Sequence, residues 1–261
     1  MENCLITSLC GSTGQRKGRR SHDFAASVAA RSLLLKHRLE DMVLPKINEK
    51  RPPDFADLLQ VIPELQCDLR YGGPDNFTGA PVAGYADPRP WLSEAATRAL
   101  LPVQEALLAM DLSLLILDAY RPARAVRHFL CWAGDGVEDA QLRQRFHPTL
   151  AKAELFAAGY LAARSSHSRG STVDLTLCAR GAGEDALPMG TEFDFFGPAS
   201  WPHALGIGLQ ERANRLLLQR LMLAHGFAQS PLEWWHFTLR SEPYPGRYFD
   251  FPLGAEPAPS A

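Results

Sequence analysis

The chain has 261 residues, 46% of them hydrophobic, and its 27 basic and 29 acidic side chains leave a formal net charge of -2. That length buries one sizeable core, so a single soluble globular domain with extensions is expected. A near-neutral balance supplies no basic field for a phosphate backbone, which argues against nucleic acid as a partner, and no run approaches the ~20 apolar residues of a membrane span.

The five cysteines, Cys4, Cys10, Cys67, Cys131 and Cys178, are odd in number and contain no C-x-x-C pair. Neither a disulfide framework nor a cysteine-rich metal knuckle is indicated, and reduced thiols in a cytoplasm fit this usage.

In chain order, the short apolar run Leu5-Ile6-Thr7-Ser8-Leu9 precedes Arg16, Lys17, Arg19 and Arg20, the reverse of the order in a secretory signal. Residues 1–54 are read as a dispensable, disordered extension punctuated by Arg51-Pro-Pro-Asp54, with Met42 as a plausible start. The domain is expected over 55–252. The last residues, 253–261, are small and Pro-rich and read as a disordered tail.

Between Trp91 and Met110, Ala96, Leu100, Val103, Leu107 and Met110 recur at helical spacing, with Ser93 as a candidate N-cap and Pro102 as a kink or break. Leu112 to Leu117 is a short apolar run, read as a buried strand ending at Asp118-Ala-Tyr-Arg121-Pro122. Pro122 suits the first turn of a helix through Trp132.

Thr172 to Leu177 alternates polar and apolar residues, the period of a half-buried strand with Thr172, Asp174 and Thr176 on its polar face. Leu216 to His225 reads as an apolar helix stopped by Gly226, and Trp234 to Leu239 as a strand. The expected class is α+β, a small antiparallel sheet with packed helices.

Ser165-Ser-His-Ser-Arg-Gly-Ser-Thr-Val-Asp174 and Glu233-Trp-Trp-His236 carry the chemistry. His167, Asp174 and His236 make up the ligand set of a catalytic zinc site, two imidazoles and a carboxylate. A lone histidine is more often a hydrogen-bonded structural residue; the combination is what argues for a metal. Glu233, placed just before the last strand, suits a base that reaches a water without ligating the metal.

Arg121 at a strand end could face a developing oxyanion, clamp a carboxylate, or form a structural salt bridge. Asp118 is its orienting partner or a cap for the next helix. Trp234 and Trp235 read as packing residues.

Ser165-x-His167-x-x-Gly170-x-x-x-Asp174 with Glu233-x-x-His236 resembles the zinc D,D-peptidase family. Leu69-Arg-Tyr71, Asn76-Phe-Thr-Gly79, Asp118-Ala-Tyr-Arg-Pro122, Met189-Gly-Thr-x-Phe-Asp194 and the double tryptophan resemble its D-alanyl-D-alanine dipeptidase branch, over about residues 57 to 250. The resemblance implies a hedgehog-like fold and one zinc ion held by His167, Asp174 and His236.

It also implies Glu233 as general base and acid, Arg121 as the group that stabilises the tetrahedral intermediate, and a small D,D-dipeptide as substrate. Tyr71, Ser165, Asp194 and Asp118 match positions around the substrate pocket. Thr172 departs from the family's usual alanine. Two rivals remain: a D,D- or L,D-carboxypeptidase trimming peptidoglycan peptides, and a non-catalytic zinc-binding module.

Overall fold

The computed structural model describes residues 47–181 and 186–254; the leader with Met42 and the tail beyond Gly254 lie outside the described residues. The strands are Ile47–Asn48 (β1), Phe55–Asp57 (β2), Gln66–Cys67 (β3), Trp91–Ser93 (β4), Leu112–Asp118 (β5), Thr172–Ala179 (β6), Phe227–Gln229 (β7), His236–Leu239 (β8) and Tyr248–Phe249 (β9). The helices are Leu58–Val61 (α1), Glu94–Leu108 (α2), Ala123–Gly134 (α3), Ala140–Phe146 (α4) and Leu209–Ala224 (α5).

Five strands form the main sheet in the order β3-β5-β6-β8-β7. Its pairs are antiparallel except β3 with β5, so the sheet is mixed where a purely antiparallel one is expected from sequence. The class is mixed helix and strand, with two further two-stranded pairs, β1-β9 and β2-β4. Ile47 and Asn48, assigned from sequence to the extension, pair with Tyr248 and Phe249, and Leu253, assigned to the tail, is buried.

One face of the sheet is apolar. Leu114 and Ile116 of β5 and Val173, Leu175 and Leu177 of β6 pack with Leu100, Val103 and Leu107 of α2 and Leu218 and Met222 of α5. Each of these side chains, fully buried, contributes roughly 1.5–3 kcal/mol from area removed from water. On the other side, a separate core of Phe55, Tyr71, Phe77, Tyr85, Phe129 and Phe196 packs ring against ring. Asp118, Asp174 and His236 lie between the two cores.

The elements depart from the sequence reading where packing overrides local signals. Ser93 does cap α2, its Oγ accepting from the Ala96 amide, but residues 91–93 are a strand and α2 runs through Pro102 unbroken, held by its buried face. Pro122 stands at the N-cap of α3, which continues to Gly134. In β6 both faces are buried, the polar row of Thr172, Asp174 and Thr176 included. Strand β8 begins at His236, and both tryptophans precede it. No helix among the described residues is long and apolar enough to cross a membrane.

Gly170 decides how the histidine loop returns to β6. It closes the 3-10 turn Ser166–Arg169 in the left-handed region at φ 79°, where a side chain is strained, and a Cβ there would lie 2.0 Å from Cζ of Phe55. Gly170→Ala is expected to lower stability by about 2–4 kcal/mol through strain and overpacking, read as a shift in the urea midpoint. An unchanged midpoint would show that this loop and Phe55 yield freely.

Candidate active site

Sheet register assembles the site. Asp118 of β5 stands opposite Asp174 of β6, and Asp174 stands opposite His236 of β8, so three polar side chains form a row across neighbouring strands. Directly opposed residues hold their Cβ atoms about 5 Å apart. A register shift between Ile116 and Asp118 brings Asp118 into that row.

His167 comes from the turn before β6 and is fully buried. Its Nδ1 donates to the Ala119 carbonyl at 2.6 Å; a carbonyl cannot donate, so Nδ1 carries a hydrogen and Nε2 is the nitrogen turned to the site. Ser165 caps the turn, its Oγ accepting from the His167 amide at 3.3 Å. His167 Nε2 lies 3.1 Å from Asp174 Oδ2 and 3.3 Å from His236 Nδ1.

His236 Nδ1 lies 2.9 Å from Asp174 Oδ1. Donor atoms 2.0–2.1 Å from a tetrahedral zinc stand roughly 3.3 Å from one another, the spacing of these three groups. Asp174 Oδ1 is buried, with the His236 ring nitrogen as its near neighbour, so its two oxygens face the two imidazoles from which a cation would be held. The residues fit a metal ion; His167, Asp174 and His236 are the group among the described residues able to hold one.

Two more groups converge here. Glu233 Oε2 is 3.6 Å from His236 Nδ1 because the bend before β8 turns both side chains to one side. Arg121 donates through Nε to Asp118 Oδ2 at 2.8 Å, and its NH2 lies 3.4 Å from Asp174 Oδ2. Its guanidinium also lies over the rings of Tyr71 and Phe129, at 5.0 and 5.3 Å from their centroids. Two carboxylates and two aromatic faces leave that side chain a single orientation.

The electrostatics follow from burial and proximity. Burial raises the Asp174 carboxyl, but the imidazoles of His167 and His236 outweigh it and hold Asp174 well below the usual carboxylate range. Burial pushes Glu233 up to about 7, with His236 opposing the shift and Asp174 adding to it. Burial and the nearby Asp174 charge drive Asp194 well above its ordinary value, against the pull of Arg121 and of the Tyr71 hydroxyl.

These groups line a cavity of about 250 Å³, below the size of a drug-sized site and suited to a very small ligand. Tyr71, Arg121, Ser165, Asp174, Asp194, Glu233 and His236 reach it. Asp118, expected among the substrate contacts, does not line it. It is the orienting partner of Arg121, fully buried beneath it, and its other oxygen accepts from the Tyr85 hydroxyl at 2.7 Å.

Tyr85 and Arg215 have no counterpart in the sequence reading. Arg215, buried on α5, donates to the Met189 carbonyl at 2.7 Å and the Trp201 carbonyl at 2.8 Å, and so fixes the loop that carries Asp194. Asp118 lies 33 residues from Tyr85 and Met189 lies 26 from Arg215, distances at which no local pattern announces a contact.

Comparison with known proteins accords with this geometry. The family model described as D-ala-D-ala dipeptidase, of the M15 peptidases, matches residues 51–254. The chain belongs to that family.

A Streptomyces coelicolor protein named D-alanyl-D-alanine dipeptidase is 44% identical over 200 residues, covering 77% of this chain and 98% of the relative. Proteins of the same name from Enterococcus faecium, 41% identical over 76% of this chain and 98% of the relative, and Escherichia coli, 31% identical over 71% and 84%, are also similar. As an M15-family member the chain is a peptidase.

Thr172, the departure noted in sequence, lies outside the cavity lining of this peptidase. Its hydroxyl is 2.9 Å from that of Thr238 across β6 and β8. Thr172→Ala should therefore cost about 1 kcal/mol in a denaturant melt, the net worth of one hydrogen bond, and leave KM within about twofold. A large KM change with unaltered stability would place Thr172 in the substrate path instead.

Proposed function

We propose that the chain is a zinc-dependent dipeptidase that hydrolyses D-alanyl-D-alanine to two molecules of D-alanine, acting on the free dipeptide in the cytoplasm. The observation that carries the reading is a cluster of three candidate metal-ligating side chains, His167, Asp174 and His236, at a small cavity lined by the latter two, by a carboxyl raised to about 7 and by an immobilised guanidinium. The names of the relatives supply the substrate, and a cavity of about 250 Å³ agrees with a molecule of that size.

His167, Asp174 and His236 would hold the ion. Zinc in such a ligand set acidifies water and polarises a carbonyl. Glu233 takes a proton from the attacking water as its oxygen forms a bond to the scissile carbonyl carbon, and returns it to the departing amine as the carbon–nitrogen bond breaks. Arg121, held by Asp118, presents positive charge to the oxygen that gains negative charge in the tetrahedral intermediate.

Asp194, with Tyr71 donating to its Oδ2 at 2.9 Å, meets the substrate ammonium. An arriving cation stabilises the ionised form that burial otherwise disfavours. Ser165 contributes to the wall around the dipeptide.

Release of D-alanine from D-alanyl-D-alanine by the purified chain is the direct test, alongside a pentapeptide precursor. Chelation should abolish release and zinc should restore it. Glu233→Gln should lower kcat by about 10²- to 10⁴-fold, the usual worth of a positioned acid–base group, with zinc content unchanged by elemental analysis. No release from the dipeptide, or equal rates for Glu233→Gln and wild type, would overturn the reading. Preference for the pentapeptide would favour a carboxypeptidase.

A further inference from the structure

The catalytic cavity stops at Asp194, and a larger hollow lies on the far side of that residue. The second cavity measures about 540 Å³ and is walled by Leu117, Thr176, Leu187, Met189 and Phe193, with Asp194 lining both spaces. The Phe193 ring lies 5.3 Å from Trp235 and 6.1 Å from Tyr71, two residues that line the catalytic side. The wall between the cavities is therefore one side chain thick.

The hollow also continues the direction of the site. Thr176 follows Asp174 by two positions on the same face of β6, so it lies about 7 Å further along the strand, the length of two extended residues. Thr176 lines the hollow, and its Oγ1 is buried without a hydrogen-bond partner among the described residues. Asp194 itself sits at φ 61°, a backbone state that strains most side chains and holds this one across the passage.

We propose that Asp194 and Phe193 form a partition that limits the substrate to two residues. The hollow behind them, about 540 Å³, has the room to receive the amino-terminal residue of a tripeptide once the partition is opened. This rests on the dipeptidase reading, with the substrate ammonium directed at Asp194. Removing either side chain joins the spaces. Glycine at position 194 also accepts the positive φ without strain.

The test uses the full chain loaded with zinc, with D-alanyl-D-alanine and tri-D-alanine as substrates. Asp194→Gly and Phe193→Ala are each expected to raise kcat/KM for tri-D-alanine by about 10-fold or more over wild type, the range that one group in a pocket commands. Asp194→Asn, equal in size, should bring no such gain. Wild type should also bind tri-D-alanine at least about 10-fold more weakly than the dipeptide in competition.

Absence of a gain in either folded, zinc-loaded variant overturns the partition, as does an equal gain in Asp194→Asn, which would make charge the barrier. Equal competition by the two peptides in wild type overturns it whether or not the variants fold. Failure of the dipeptidase reading is separate and shows in wild type alone, as no turnover of D-alanyl-D-alanine.

Discussion

The arrangement depends on one buried carboxylate. Asp174 sits at the centre of a row across β5, β6 and β8, almost without solvent exposure, between two imidazoles and a guanidinium. An ionised carboxyl in such a place is costly unless cations and donors surround it. His167, His236 and Arg121 are placed around it, and His167 and Arg121 are fixed in turn by second contacts. Ala119 holds His167, Asp118 holds Arg121, and Tyr85 holds Asp118.

That chain of support explains the two-core architecture. The aliphatic core under α2 and α5 keeps the sheet register, and register is what brings the row into line; a slip of one residue would turn every member to the other face. The aromatic core on the opposite side excludes water, raises Glu233 and Asp194, and supplies the faces over which Arg121 lies. Apolar packing and site electrostatics are thus one construction, since the rings that stabilise the fold also set the protonation of the groups between them.

Much of the site was legible because its residues are chemically distinctive and sit in short local motifs. His167, Gly170 and Asp174 lie on one turn and the strand it feeds, and Glu233 and His236 on one bend, so spacing alone groups them. The mixed sheet was less legible, because β3 is only Gln66–Cys67 and its parallel pairing with β5 leaves no periodic trace. A break at Pro102 and a half-buried face at Thr172 failed for a shared reason. Local rules price a proline or a polar face as if solvent were adjacent, whereas tertiary burial supplies the packing that overrides them.

The sequence by itself determined the candidate ligand types, the acid–base candidate and the mixture of helix and strand, because these depend on residue chemistry and short-range period. Tertiary structure alone decided that Asp118 supports Arg121 without touching the cavity, that Thr172 bonds to Thr238, and that Phe193 and Asp194 separate a small space from a larger one. Each of these relations joins residues far apart in the chain. Their geometry exists only after register and packing have brought the strands and loops together.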